Sequence, residues 1–259
     1  MAKKYWQKEI APLLLSIGMF TVLGNEVKAE PPETLPSNLR ATITAIESAA
    51  NNQDLSQLLS FYNANFTNSD GLTVEVMSQA LEQTWSTYPR LRYRTTIESW
   101  EQQGDQLMVE TLTKMSGSQI DQGRNISLVS TVRSRQYFQD QQIVSQDILS
   151  EQTELKTGDN PPAITAIAPE TVKVGEKYNF DVIVTEPLED KVLLGAALEE
   201  RTTTNLYLNP GSLELEPLSA GGIYKVVTAP LLPENNWLSA ILVRSDGITM
   251  VTKRVKVER

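Results

Sequence analysis

The run Tyr88-Pro89-Arg90-Leu91-Arg92-Tyr93-Arg94-Thr95-Thr96-Ile97-Glu98 decides the fold. Pro89 ends any helix before it, because proline lacks an N–H and pushes the preceding residue out of the helical region. From Pro89 on, Leu91, Tyr93, Thr95 and Ile97 alternate with Arg90, Arg92, Arg94 and Glu98. That period of 2 predicts a strand with one apolar and one charged face.

Upstream the period is 3.6. Leu39, Ile43, Ile46 and Ala50 form one helical stripe, with Ser37 or Asn38 as the cap. A second stripe, Leu55, Leu58, Leu59, Tyr62 and Phe66, predicts a helix from Asp54 to Phe66, stopped by Asn68-Ser69-Asp70-Gly71. A third starts at the cap Thr73 and carries Val76, Met77, Ala80, Leu81 and Trp85 to Ser86.

Downstream the period stays at 2. Gln103-Gly104-Asp105 is a turn, and a second strand runs from Leu107 to Met115. Residues 116–123 read as a polar connection. A third strand follows from Ile126 to Phe138, a turn at Gln139-Asp140-Gln141, and a fourth strand from Ile143 to Leu155. Strands joined by short turns predict an antiparallel meander. Gly158-Asp159-Asn160-Pro161-Pro162 reads as a short stiff linker. Beyond it about seven short strands are expected, including Tyr178–Val184, with Ser245-Asp246-Gly247 as the last hairpin turn. The predicted fold is therefore an α+β cone, three helices plus a curved antiparallel sheet, followed by an all-β, immunoglobulin-like sandwich. The expected boundaries are a signal peptide over 1–29, a Pro-rich lead-in over 30–37, a first domain over 38–156, a linker over 157–162 and the sandwich over 163–259.

The chain has 259 residues with no Cys and no His. Disulfides, thiolate metal sites, Ser-His-Asp triads and His-ligated metals are thereby excluded. Lys3, Lys4 and Lys8 precede an apolar stretch from Ile10 to Leu23, and Val27 and Ala29 are small residues at a cleavage position. This predicts a secretory leader cut after Ala29, too short to span a bilayer easily; an uncleaved anchor is the alternative. Losing it removes four Lys and two Glu and takes the net charge from −9 to −11. So acidic a chain is not expected to bind nucleic acid through bulk charge, and no membrane span is expected after processing.

Helices followed by a long meander resemble the nuclear transport factor 2-like (SnoaL-like) superfamily. The resemblance covers about residues 38–156, and its best local match is Gln53-Asp54-Leu55-Ser56-Gln57-Leu58-Leu59-Ser60-Phe61-Tyr62 with Asn65-Phe66. Tyr88–Thr95, Val132–Gln136 and Leu218–Ile223 resemble exported cyanobacterial proteins that add a C-terminal sandwich. The resemblance implies a conical pocket and a periplasmic or thylakoid-lumen address. Enzymes of the superfamily place a carboxylate in that pocket, opposite a tyrosine or second acid. Glu110 or Asp147 with Tyr62 or Tyr93 would fill those roles here; the alternative reading makes the two acids structural ion-pair partners. No cofactor or metal is expected.

Arg90, Arg92 and Arg94 share one strand face, Arg133 and Arg135 another, and Lys114 comes from the strand between. Lys114 shares parity with Glu110, so an inward Glu110 would need a bulge to leave Lys114 outward. This group either binds carboxylate, phosphate or sulfate, or forms a solvated face with Glu98 and Glu110. The function expected is that of an exported, non-enzymatic binding or assembly protein. Its partner would be a protein or small molecule, with a homodimer through the N-terminal sheet left open. A His-free lyase, isomerase or hydrolase is the alternative.

Overall fold

Three apolar stripes make three helices, but one stops early. The structure, a computed structural model, describes residues 29–121, 123–187, 192–209, 211, 214–218 and 221–259. The expected leader over 1–29 lies, apart from Ala29, outside that set. After a 3-10 turn at Pro32–Thr34, helix α1 (Ser37–Asn52) buries Leu39, Ile43, Ala49 and Ala50. Its cap position is Pro36, so Ser37 and Asn38 lie inside the helix rather than capping it. Asp54 caps α2 (Leu55–Ser60) by accepting from Gln57 N at 2.9 Å. Thr73 caps α3 (Val74–Thr87) by accepting from Val76 N.

The expected tail of the second helix is instead strand β1 (Tyr62–Asn68). Tyr62 and Phe66 are four residues apart, so they share a side at either period. Their rings meet edge to face at 4.9 Å in this strand, and β1 pairs parallel to a later strand, which decides the conformation.

The meander consists of β2 (Arg92–Gln103), β3 (Gln106–Asp121), β4 (Arg124–Gln139) and β5 (Gln142–Gly158). The polar stretch 116–123 was expected to be a connection. In the structure β3 and β4 stay paired from Leu107↔Phe138 to Asp121↔Arg124. Ser and Gln satisfy a solvent-facing strand side without apolar alternation. Gly117 lets Leu91 pack closely there: a Cβ would lie 2.9 Å from the end of the Leu91 side chain and 3.3 Å from its Cα, so Leu91 would have to shift.

The remaining strands are β6 (Ile164–Ile167), β7 (Thr171–Lys173), β8 (Lys177–Val184), β9 (Leu194–Arg201), β10 (Glu216–Pro217), β11 (Gly222–Thr228), β12 (Glu234–Arg244) and β13 (Gly247–Glu258). The expected α+β cone followed by a separate sandwich is corrected here. Among the described residues 56% lie in strands and 18% in helices, so the protein is mostly β. One ten-stranded sheet crosses the whole molecule, its main path being β10-β9-β12-β13-β5-β4-β3-β2. The join is β13 against β5, antiparallel from Gly247↔Gly158 to Lys253↔Gln152. Gly158 has φ +100°, and a Cβ on it would lie 2.6 Å from Asp246 O. The following segment is held down by Arg244 Nη2 donating to Asn160 O at 2.8 Å and Thr249 Oγ1 to Pro162 O at 2.7 Å.

Residues opposite one another across strands share a sheet face. That rule places the two cores on opposite faces. Leu128 and Leu155 point to the helices, into a core with Ala50, Leu58, Trp85 and Leu91. Their neighbours in sequence, Val129 and Glu154, lie on the far face, as does Val251 opposite Glu154. Val251, Val255 and Val257 form the second core with Leu238, Leu242 and the three-stranded sheet β11-β8-β6. Phe180 and Val182 of β8 are fully enclosed there, each contributing roughly 1.5–3 kcal/mol by burial. Helices thus cover one face of the first half, and a small sheet covers the other face of the second half.

Edge strand β2 is protected. Asn51 of α1 accepts from Tyr93 N and donates to Tyr93 O, both at 2.9 Å, and Glu47 accepts from Thr95 N. Glu30 bridges Trp100 farther along.

Candidate functional site: a pocket between helices and sheet

The helix face of β2–β5 does not close completely on the helices. A pocket of about 220 Å³ remains between α1, α2, α3 and the sheet. Its apolar wall includes Ile43, Ile46, Leu58, Met77, Leu81, Met115 and Val132. Its polar wall includes Glu47, Tyr62, Tyr93, Thr95, Thr113, Ser134, Gln136 and Gln146.

Most of that polar wall is internally bonded. The Thr95 and Thr113 hydroxyls meet at 3.2 Å, and Gln146 Nε2 donates to Ser134 Oγ at 3.0 Å. Trp85 Nε1 donates to the Tyr93 hydroxyl at 2.9 Å. The Tyr62 hydroxyl and the Gln136 amide make no side-chain hydrogen bond among the described residues. Burial, with the neighbouring Tyr93, pushes the Tyr62 phenol up to about 12. It is therefore a neutral donor over the whole physiological range. Glu47, the carboxylate in the pocket wall among the described residues, is held by Thr95 N.

Of the four catalytic candidates, Tyr62 and Tyr93 line the pocket and Glu110 and Asp147 do not. Glu110 pairs across from Arg135, on the far face, in the same unbroken β3–β4 register that puts Lys114 outward. No bulge separates Glu110 from Lys114; the irregularity falls in β2, between Ile97 and Ser99. Glu110 Oε1 accepts from Arg135 Nε at 3.1 Å and Nη2 at 2.6 Å, and Glu110 Oε2 accepts from Arg133 Nη2 at 3.2 Å. Arg133 Nε also reaches Glu98 at 2.6 Å. Hydrogen bonding to Glu98 and Glu110 raises the pKa of Arg133 and Arg135 respectively, so both stay charged. Asp147 accepts from the Tyr137 hydroxyl at 3.3 Å on that same far face. Arg90 is exposed in the turn before β2, while Arg92, Arg94 and Lys114 are exposed on their strands.

A second polar cluster went unforeseen. Arg254 of β13 and Asp70 of the β1–α3 turn have fully buried side chains. Arg254 Nη1 and Nη2 grip the two Asp70 oxygens at 2.9 and 2.8 Å. Asp70 also accepts from the Tyr207 hydroxyl at 2.6 Å and from Asn235 Nδ2 at 3.0 Å. Glu151 of β5 accepts from Arg254 at 3.2 Å and from Trp237 Nε1 at 2.9 Å. Burial alone would push Asp70 up. The Arg254 fork, Tyr207 and Asn235 outweigh it and hold the carboxyl below its usual range. Asn68 shapes the turn by accepting from the backbone of Asp70 and Leu72. This cluster ties the helical half to the C-terminal strands and leaves no open coordination: among the described residues no group of three acids could hold a metal.

Residues 159–258 match the model of a family described as a domain of unknown function (DUF8623). Among curated proteins, none matches the chain. Solved structures similar to it include Bd1075 of Bdellovibrio bacteriovorus, with 19% identity and a TM-score of 0.32 over 43% of this chain and 39% of that one. This chain thus spans well under half the length of that protein. A second is a protein described as a SnoaL-like polyketide cyclase from Shewanella denitrificans, with 13% identity and a TM-score of 0.34 over 44% of this chain and 90% of that one. A third is an LEH-like epoxide hydrolase from M. tuberculosis, with 12% identity and a TM-score of 0.31 over 43% of this chain and 81% of that one. Among the described residues no helix is long and apolar enough to cross a membrane.

Proposed function

We propose that this is a non-enzymatic binding protein, acting after export, whose pocket takes a small, mainly apolar molecule with one hydrogen-bond acceptor. The observation that carries the reading is the Tyr62 hydroxyl: neutral and without a hydrogen-bond partner among the described residues, in a wall otherwise made of aliphatic side chains and, apart from the Gln136 amide, hydrogen-bonded polar groups. A cavity of about 150 Å³ holds benzene, so 220 Å³ suits one ring with a short substituent. It lies below the roughly 300 Å³ where pockets for drug-sized ligands begin. The carboxylates expected to do chemistry, Glu110 and Asp147, stand on the other side of the sheet. Glu47 is occupied by a backbone donor.

Acetophenone, an aromatic ketone of fitting size, is a suitable probe, with binding followed by ligand-observed NMR. Saturable binding to the wild type is expected. Val132→Phe, which fills the pocket, should abolish it. Tyr62→Phe should weaken it about fivefold, matching the ~1 kcal/mol of one neutral hydrogen bond. Unchanged binding by folded Val132→Phe, or no binding by the wild type, overturns the reading. Conversion of the probe to a product would reject the non-enzymatic part.

A further inference from the structure

We infer that the far face of the first half is a docking surface for an extended, acidic segment of a partner protein. The register places Arg94, Lys114, Thr131, Gln152 and Lys253 in one row across β2, β3, β4, β5 and β13. The row holds three cations, two neutral hydrogen-bonding side chains and no acid. Arg94 and Lys114 stand directly opposite each other, an arrangement that costs stability in a sheet. Neither they nor Lys253 make an ion pair or side-chain hydrogen bond among the described residues.

Nearby cations are different. Arg133 and Arg135 are spent on Glu98 and Glu110, whereas the three cations of the row are not. Its Lys253 end enters a groove of about 510 Å³, with Leu112 and Val129 as apolar floor. Val129 is 55% exposed. Two of the three acids of the groove are committed elsewhere: Glu154 holds Lys156 at 2.6 Å and Glu151 holds Arg254. Glu170, exposed at the groove, makes no ion pair among the described residues, and its charge adds to the field that raises the pKa of Arg133.

Charge and shape together name the occupant. Four strand spacings of about 4.8 Å give a row of roughly 19 Å, the reach of about six extended residues. Carboxylates would face Arg94, Lys114 and Lys253, and an aliphatic side chain would cover Leu112 and Val129. The row has no aromatic side chain on which bases could stack, which disfavours a single-stranded nucleic acid. The inference is independent of the ligand pocket, which opens on the opposite face.

The test uses a fluorescein-labelled peptide of about eight residues, glutamate throughout with a central leucine, and reads fluorescence anisotropy. The wild-type protein should bind it, and raising the salt from about 20 to about 300 mM should weaken binding. The triple variant Arg94→Glu, Lys114→Glu, Lys253→Glu should raise the dissociation constant at least about tenfold. The charge-matched control Lys173→Glu, Lys177→Glu, Arg259→Glu should change it less than about twofold. If the reversed triple fails to fold, the glutamine triple at the same positions takes its place. Equal effects of the two triples, or no binding by the wild type, overturn the proposal. So does tighter binding of a heparin hexasaccharide or of phosphatidylglycerol vesicles than of the peptide.

Discussion

Arg254 and Arg133 each hold two carboxylates, yet they stand in opposite physical settings. Arg254 has no exposed side-chain surface and grips Asp70, which has none either. The Arg133 side chain is 42% exposed and bridges Glu98 and Glu110 on an open strand face. In the buried cluster every lone pair lost to water must be replaced, and Tyr207, Asn235 and Trp237 supply the replacements. On the open face water does that work. The same guanidinium–carboxylate pairing therefore joins two halves of a molecule in one place and decorates its surface in the other.

The largest expected effect comes from separating the buried pair. Asp70→Ala leaves Arg254 charged and enclosed, and should cost about 3–5 kcal/mol of unfolding free energy in urea titration. The double variant Asp70→Leu, Arg254→Met removes both charges and should lose clearly less. A double variant as unstable as the single would break the contrast.

Next comes acid. The Asp70 carboxyl sits below its usual range in the folded state. In the window between that value and the unfolded value of about 3.9, the unfolded chain binds more protons. Stability from the pair is thus complete above about pH 4 and is lost as the pH falls through the folded value. Melting temperature measured from pH 7 downward should show this drop, and Asp70→Asn should flatten it.

The smallest effect is expected on the surface. Arg133→Ala should change unfolding free energy by less than about 1 kcal/mol, because solvent screens the pair. A loss as large as that of Asp70→Ala would mean the two settings do not differ.

These contrasts follow how much of the molecule its sequence displays. The stripes of α1 and α3, the Thr73 cap and the hairpin at Asp140-Gln141, where both residues have positive φ, are local signals and appear in the structure. Tyr62 and Phe66 misled because four residues is a repeat of both periods. The outward side of Glu110 is legible from its parity with Lys114, but the same parity with the apolar Met108 and Leu112 points inward, so the strand pattern alone does not decide it. In the pocket, Tyr62 and Tyr93 were found, whereas Gln136, Gln146 and Glu47 gave no signal apart from sharing a side with core residues. Asp70 and Arg254 are 184 positions apart. Arg254 sits among Thr252, Val255 and Lys256 in a strand that reads as ordinary alternation. The continuous sheet was hidden for the same reason. Pro161-Pro162 reads as a break in the chain, while pairing of β5 with β13 depends on partners no local window contains.

That pairing has a consequence for how the chain reaches its native state. Strand β13 lies in the middle of the sheet but comes after every other strand in sequence, and Glu151 waits for a partner 103 residues later. Contacts of such separation slow folding, since the intervening loop must close before they add stability. Until then β5 presents a bare hydrogen-bonding edge over residues 152–158, open to the same edge on a neighbouring chain. Folding yield should therefore fall steeply with protein concentration, and the closing of Arg254 on the carboxylates of Asp70 and Glu151 marks the moment at which that exposure ends.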